Sequence, residues 1–238
     1  MGRSAADLTA RLLRHERVLL ASVVLLLAVL AWSFLLRGMP HSMEPSLTGL
    51  IAMWWLMMLA MMLPSATPAI LVYARVRDKQ GRDSQVTPPW VFLAGYLSVW
   101  LAFSIAAAVA QALLTEPSMA LRNRTARAAV LFAAGAYQLS PLKSACLSHC
   151  RSPGQFISRH WRTGWQGAFR LGVIHGAYCV GCCWMLMALL FAGGVMNLLW
   201  VIGLTVLVAG EKLLPSGQAL QKVSGVGLVS WGVFEALG

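Results

Sequence analysis

Acidic side chains are scarce in this chain, with 8 Asp and Glu in 238 residues, and all charged residues together make up only 11%. A soluble domain carries about a quarter charged residues, so the composition argues against a water-covered globular surface. No glycine–lysine phosphate loop is visible, which excludes ATP-driven pumping by this chain alone. A Ser-His-Asp-like set and paired intramembrane carboxylates are also missing, leaving enzymatic activity without positive support. Attachment of haem through Cys-x-x-Cys-His is excluded because Cys183, not histidine, follows Cys182. The sequence also has no long low-complexity linker.

Apolar residues supply 58% of the chain, and the mean hydropathy is +0.69. These values predict an all-α, polytopic transmembrane helix bundle whose first partner is the lipid bilayer. Apolar spans can be drawn over 18–36, 48–74, 90–114, 126–142, 166–192 and 195–214, giving six helices. A seventh, 220–237, is thinned by Gly225, Gly227 and Gly232 and has Glu235 near its end. The domain division is a basic cytoplasmic N-terminal segment, 1–17, followed by one membrane-embedded helical domain, 18–238. The first span begins like a secretory signal after Arg11, Arg14 and Arg17. Its distal end, Ala31-Trp-Ser-Phe-Leu-Leu36, is too bulky for a cleavage site, so a retained anchor is expected.

Basic residues orient this bundle. Of the 19 Lys and Arg, a cytoplasmic N-terminus leaves only Arg37, Arg122, Arg124 and Arg127 outside. Arg3, Arg75, Arg77, Lys79, Arg82, Arg159, Arg162 and Arg170 are among those that fall inside. The net charge of +11 therefore reads as a topology signal with attraction to anionic lipid. Without a folded basic surface, no nucleic-acid partner is expected.

The five cysteines all fall between 146 and 183, in two clusters: Cys146-Leu-Ser-His149-Cys150 and His175-Gly-Ala-Tyr-Cys179-Val-Gly-Cys182-Cys183-Trp184. On a helix, His175, Cys179 and Cys182 fall within an arc of about 60°, with Cys183 just outside it. One helix face then presents several soft ligands to one ion. The first cluster is placed at the cytoplasmic end of the fourth helix or in the loop after it, and the second inside the membrane. The two meet only if segment 143–165 folds back toward the bundle. An odd cysteine count and the absence of an exported domain argue against a disulfide scaffold. His160, beside Arg159 and Trp161, is expected in an interfacial loop, and His15 and His41 carry little signal.

Further soft atoms repeat through Met53, Met57, Met58, Met61 and Met62, ahead of Pro64 and Pro68. Met57 and Met61 are candidate copper ligands in a methionine-rich helix, although methionine also serves as ordinary core filler. Pro64 frees a carbonyl one turn earlier. Glu211, followed by Lys212, is a candidate carboxylate ligand or proton relay, or part of a simple charge pattern at a helix end.

The Met-Met-Leu-Pro64 run, both cysteine–histidine segments and Glu211-Lys212-x-x-Pro215 together resemble an uncharacterised bacterial family of predicted metal-binding integral membrane proteins. The resemblance covers about residues 48 to 215 and implies metal binding in a bacterial inner membrane, without a defined reaction. Thiolate, imidazole and thioether donors favour Cu(I), with Zn(II) as the alternative. The expected function is therefore copper transfer, export or delivery, with a metal-donor or metal-acceptor protein as partner. A transmembrane thiol–disulfide carrier using Cys179 and Cys182 is a second reading. A small-solute transporter or assembly subunit with structural cysteines is a third.

Overall fold

The computed structural model describes residues 2–37, 46–79, 87–114, 123–195 and 197–237. His41, Arg82 and Arg122 lie outside the described residues, as do the side chains of Arg3, Arg11, Arg14, His15 and Lys79. Among the described residues the chain is all-α, with nine helices and no strand. They are α1 (Gly2–Leu36), α2 (Leu47–Lys79), α3 (Pro89–Leu114), α4 (Arg124–Gln138), α5 (Pro141–Arg151), α6 (Pro153–His160), α7 (Gly164–Gly193), α8 (Leu198–Leu213) and α9 (Gly217–Leu237).

Among the described residues, four helices are long and apolar enough to cross a membrane, where the hydropathy pattern predicts six or seven. These stretches are Glu16–Leu36, Leu47–Asp78, Pro89–Leu113 and Gly164–Gly193. The expected span 126–142 breaks up because α4 ends after 15 residues and Ser140-Pro141 starts a new helix. At 1.5 Å per residue, α4 reaches about 22 Å against a hydrocarbon core of about 30 Å. Helix α8 has 16 residues and is similarly short. Length is not the limit for α9, with 21 residues, but Gln218, Gln221, Lys222 and Ser224 dilute its apolar character.

Segment 143–165 is a pair of short helices, not a loop. Ser140 caps α5 by accepting the Lys143 backbone N–H at 3.2 Å, and Pro141 occupies the first turn, where its missing N–H costs nothing. At α6 only the proline half of the device recurs, with Pro153 in the first turn and no side-chain cap bond from Ser152.

Helix α1 packs on α2, α2 on α3, α3 on α7, and α4 on α9. The α3–α7 seam is closed backbone to backbone. A Cβ added at Gly172 would lie 2.0 Å from the Phe92 carbonyl oxygen, and one at Gly95 would lie 2.2 Å from that of Phe169. Small residues let apolar helices approach this closely, and here they bring Tyr96 onto the cysteine-bearing stretch of α7. At one end of the bundle Arg77 bonds Glu16 at 2.8 Å and Asp78 at 2.7 Å, while Tyr73 stacks on Phe92 and Trp161. The start of α7 is thereby fixed beside the end of α2.

Candidate metal centre

Helix α7 carries His175, Cys179, Cys182 and Cys183, all buried. Within the helix, the thiols of Cys182 and Cys183 donate back to the Cys179 carbonyl at 3.1 and 2.9 Å, a local bond open to short polar side chains. His175 sits among Phe92, Tyr96 and Phe156, with ring centroids 5.3 to 5.8 Å away. Its Nδ1 is buried and has no hydrogen-bond partner among the described residues.

Helix α5 folds back onto α7 and joins the two cysteine clusters. Cys150 Sγ lies 3.9 Å from Cys182 Sγ although 32 residues separate them. With metal–sulfur bonds of about 2.3 Å, two sulfurs at this separation subtend about 115° at a shared ion, an angle suited to three- or four-coordinate geometry. Cys146 rests on the bare backbone of Gly181, where an added Cβ would stand 2.9 Å from its Sγ. His149 stacks flat on Tyr178 with centroids 4.1 Å apart, and its Nδ1 contacts the Ala145 carbonyl at 2.8 Å. Burial pushes the Cys146 thiol above its ordinary pKa, with Cys182 adding to the effect. For Cys150 the rise is larger and comes first from hydrogen bonds to Cys179 and Cys182, then from burial.

Two side chains absent from the sequence-based set touch Cys179. Tyr96 Oη approaches its Sγ at 3.2 Å, and Lys212 Nζ donates to it at 3.0 Å. The same ammonium lies 3.7 Å from Met62 Sδ and 3.4 Å from Ser65 Oγ. Lys212 therefore connects α2 and α7 through sulfur. A lysine inside an apolar run is the sequence signal for such a role, and its neighbour Glu211 draws attention away from it.

Glu211 and the methionine stripe occupy other positions. Both Glu211 carboxylate oxygens are engaged, Oε2 by Lys143 Nζ at 2.6 Å and Oε1 by Gln138 Nε2 at 2.6 Å, in a buried cluster that ties α4 and α5 to α8. Met57 and Met61 are buried in the core of α2, while Met62 is the methionine that reaches Lys212. Among the described residues, no three His, Cys, Asp or Glu side chains are already gathered round one point as a metal cage. The structure thus supplies a close thiol pair with further thiols around it.

Residues 51–235 match the family model described as PpoB2, a copper chaperone. The chain belongs to this copper chaperone family. No curated protein and no solved structure matches it. The matched range of the copper chaperone family takes in all five cysteines, Met62, Tyr96 and Lys212, and leaves out the whole of α1. Copper is accordingly the cargo against which the thiols of α5 and α7 are read.

Proposed function

We propose that the protein is a membrane-embedded chaperone that carries Cu(I) where α5 crosses α7. Cys150 and Cys182 provide the first two sulfur ligands, and Cys179 completes a three-coordinate site. Cys183 and His175 back the site from within α7. Cys146 and His149 lie on α5, on the approach to the thiols from the cytoplasmic end. The reading rests on one observation, the 3.9 Å contact between thiols of two distant clusters. Sulfur-rich sites of two or three ligands suit Cu(I), whereas Zn(II) is almost always held by four.

The membrane reading draws support from four helices long and apolar enough to cross a bilayer. With the N-terminus inside, the start of α7 and the end of α2 face the cytoplasm. The chaperone takes copper from a donor protein and passes it to an acceptor by exchange of thiolate ligands, one Cu–S bond forming as another breaks and the ion staying Cu(I). The test is Cu(I) stoichiometry of detergent-purified protein beside Cys150→Ser and Cys182→Ser. Loss of bound copper in both variants is expected. Unchanged copper in the double variant would remove this assignment.

A further inference from the structure

The corner where α6 turns into α7 gathers hydrogen-bond donors without a matching acceptor. A cavity of 610 Å³ opens there, lined by Trp161, Arg162, Thr163, Gln166, Gly167 and Arg170. A smaller cavity of 130 Å³ adjoins it and adds Arg159 and His160. Among the described residues, Arg159, Arg162 and Arg170 pair with no carboxylate. The indole Nε1 of Trp161 is buried and has no partner among the described residues, and an indole nitrogen can only donate.

The backbone adds to this set. Thr163 stands at the N-cap of α7 but makes no side-chain cap bond. The first-turn N–H groups of a 30-residue helix are then left facing outward, at the positive end of its dipole. The corner itself is built for close approach. Gly164 turns the chain at φ 80°, and a Cβ at Gly167 would fall 2.4 Å from the Arg162 carbonyl oxygen. Arg162 is thereby folded over the start of the helix that carries Arg170 two turns on. Trp165 is 63% exposed and Phe169 37% exposed beside it, the aromatic character of a membrane–water boundary.

The geometry points to an oxyanion site at this corner that takes a phosphate group, held by Arg162 and Arg170 against the N-terminus of α7. Guanidinium forks bind phosphate with two parallel bonds, and a helix start supplies the backbone donors. The phosphate comes from an anionic lipid headgroup or from a free phosphate ion, which share this chemistry. The lipid source rests on the membrane reading above, whereas the oxyanion site does not depend on copper. At the end of the bundle where α7 meets α2, a bound headgroup would hold α6 and the start of α7 at the bilayer surface.

Full-length protein in detergent is exposed to phosphatidylglycerol, to phosphatidylcholine and to inorganic phosphate, and retained ligand is read by native mass spectrometry. Wild type is expected to retain phosphatidylglycerol over phosphatidylcholine, and Arg162→Gln/Arg170→Gln to lower that retention about tenfold, the weight of one or two charge-assisted bonds. Displacement of the lipid by excess phosphate assigns the site to the free ion. Failure to displace assigns it to the headgroup. Arg162→Lys/Arg170→Lys keeps the charge but loses the fork and should fall between the two. Melting temperature and copper stoichiometry, unchanged in all variants, verify the fold and separate this test from that of the thiol site. Equal phosphatidylglycerol and phosphate binding by wild type and the glutamine variant would overturn the proposal.

Discussion

The indole N–H of Trp32 donates at 3.0 Å to the carbonyl of Ala60. Pro64, four residues on, lacks the N–H that would otherwise close this turn of α2. One helix thus repairs the backbone of another, and α2 runs unbroken through both Pro64 and Pro68. In Trp32→Phe the ring is kept and the donor lost. An unsatisfied acceptor in an apolar setting costs about 1–3 kcal/mol, so the melting temperature in detergent should fall. No change would mean that the carbonyl finds another donor.

Oxidation with diamide should join Cys150 to Cys182, since these sulfurs need to close less than half of their 3.9 Å separation to reach a disulfide of about 2.05 Å. Peptide mapping under non-reducing conditions identifies the pair. A dominant Cys179–Cys182 linkage would instead show α5 detached from α7 in solution.

Copper capture by Cys150 should depend on pH. Hydrogen bonds to Cys179 and Cys182, helped by burial, hold its thiol well above the ordinary range, so this thiol is protonated at neutral pH in the metal-free protein. Binding must release that proton, and apparent Cu(I) affinity should rise with pH. The same upward shift penalises the metal-free fold as pH climbs past the ordinary thiol value, because an unfolded thiol ionises first. Stability of the metal-free protein is therefore expected to decline at alkaline pH, and less steeply in Cys150→Ser.

Removing the carboxylate of Glu211 strands Lys143, whose side chain is wholly buried. Breaking such a pair from one side costs about 3–5 kcal/mol. Glu211→Ala should lower the melting temperature steeply, and adding Lys143→Met should recover much of the loss. Copper stoichiometry of the folded double variant separates support of the fold from ligation by Glu211.

Gly172→Ala should disturb the α3–α7 seam, because the new methyl group meets the backbone of Phe92 at 2.0 Å and no side chain is free to yield. Overpacking costs about 1–3 kcal/mol where side chains can adjust, and this site lies at the upper end or beyond. A melting curve like that of wild type would place the helices further apart than described.

The helical class and the clustering of thiols are legible in the sequence because both depend on local quantities, hydropathy and residue spacing. The shared face of His175, Cys179 and Cys182 follows from helical periodicity alone. What hydropathy misses is punctuation. A window running over 126–142 averages across Ser140-Pro141, although that pair is a helix-start signal, and the same signal at Ser152-Pro153 turns an expected loop into α6. The Cys150–Cys182 contact depends on the angle between α5 and α7, which no spacing rule provides. Lys212 is obscure for a similar reason, since its partners Met62 and Cys179 lie on other helices.

The glycine seam gives the two walls around the thiols unequal freedom. On the α3 side, main chain abuts main chain, so there is no rotamer to flip and no room to slide. On the other side, α5 is fastened to α8 by the Lys143–Glu211 pair and by Arg151, which donates to the Glu211 and Pro215 carbonyls at 2.8 and 3.0 Å. Of these clasps only the Arg151 bonds reach the surface, while the Lys143–Glu211 pair is buried. If the thiols hold the ion as proposed, one wall of its pocket is set by main chain and the other by polar side-chain bonds, and an acceptor protein would have to act on the second.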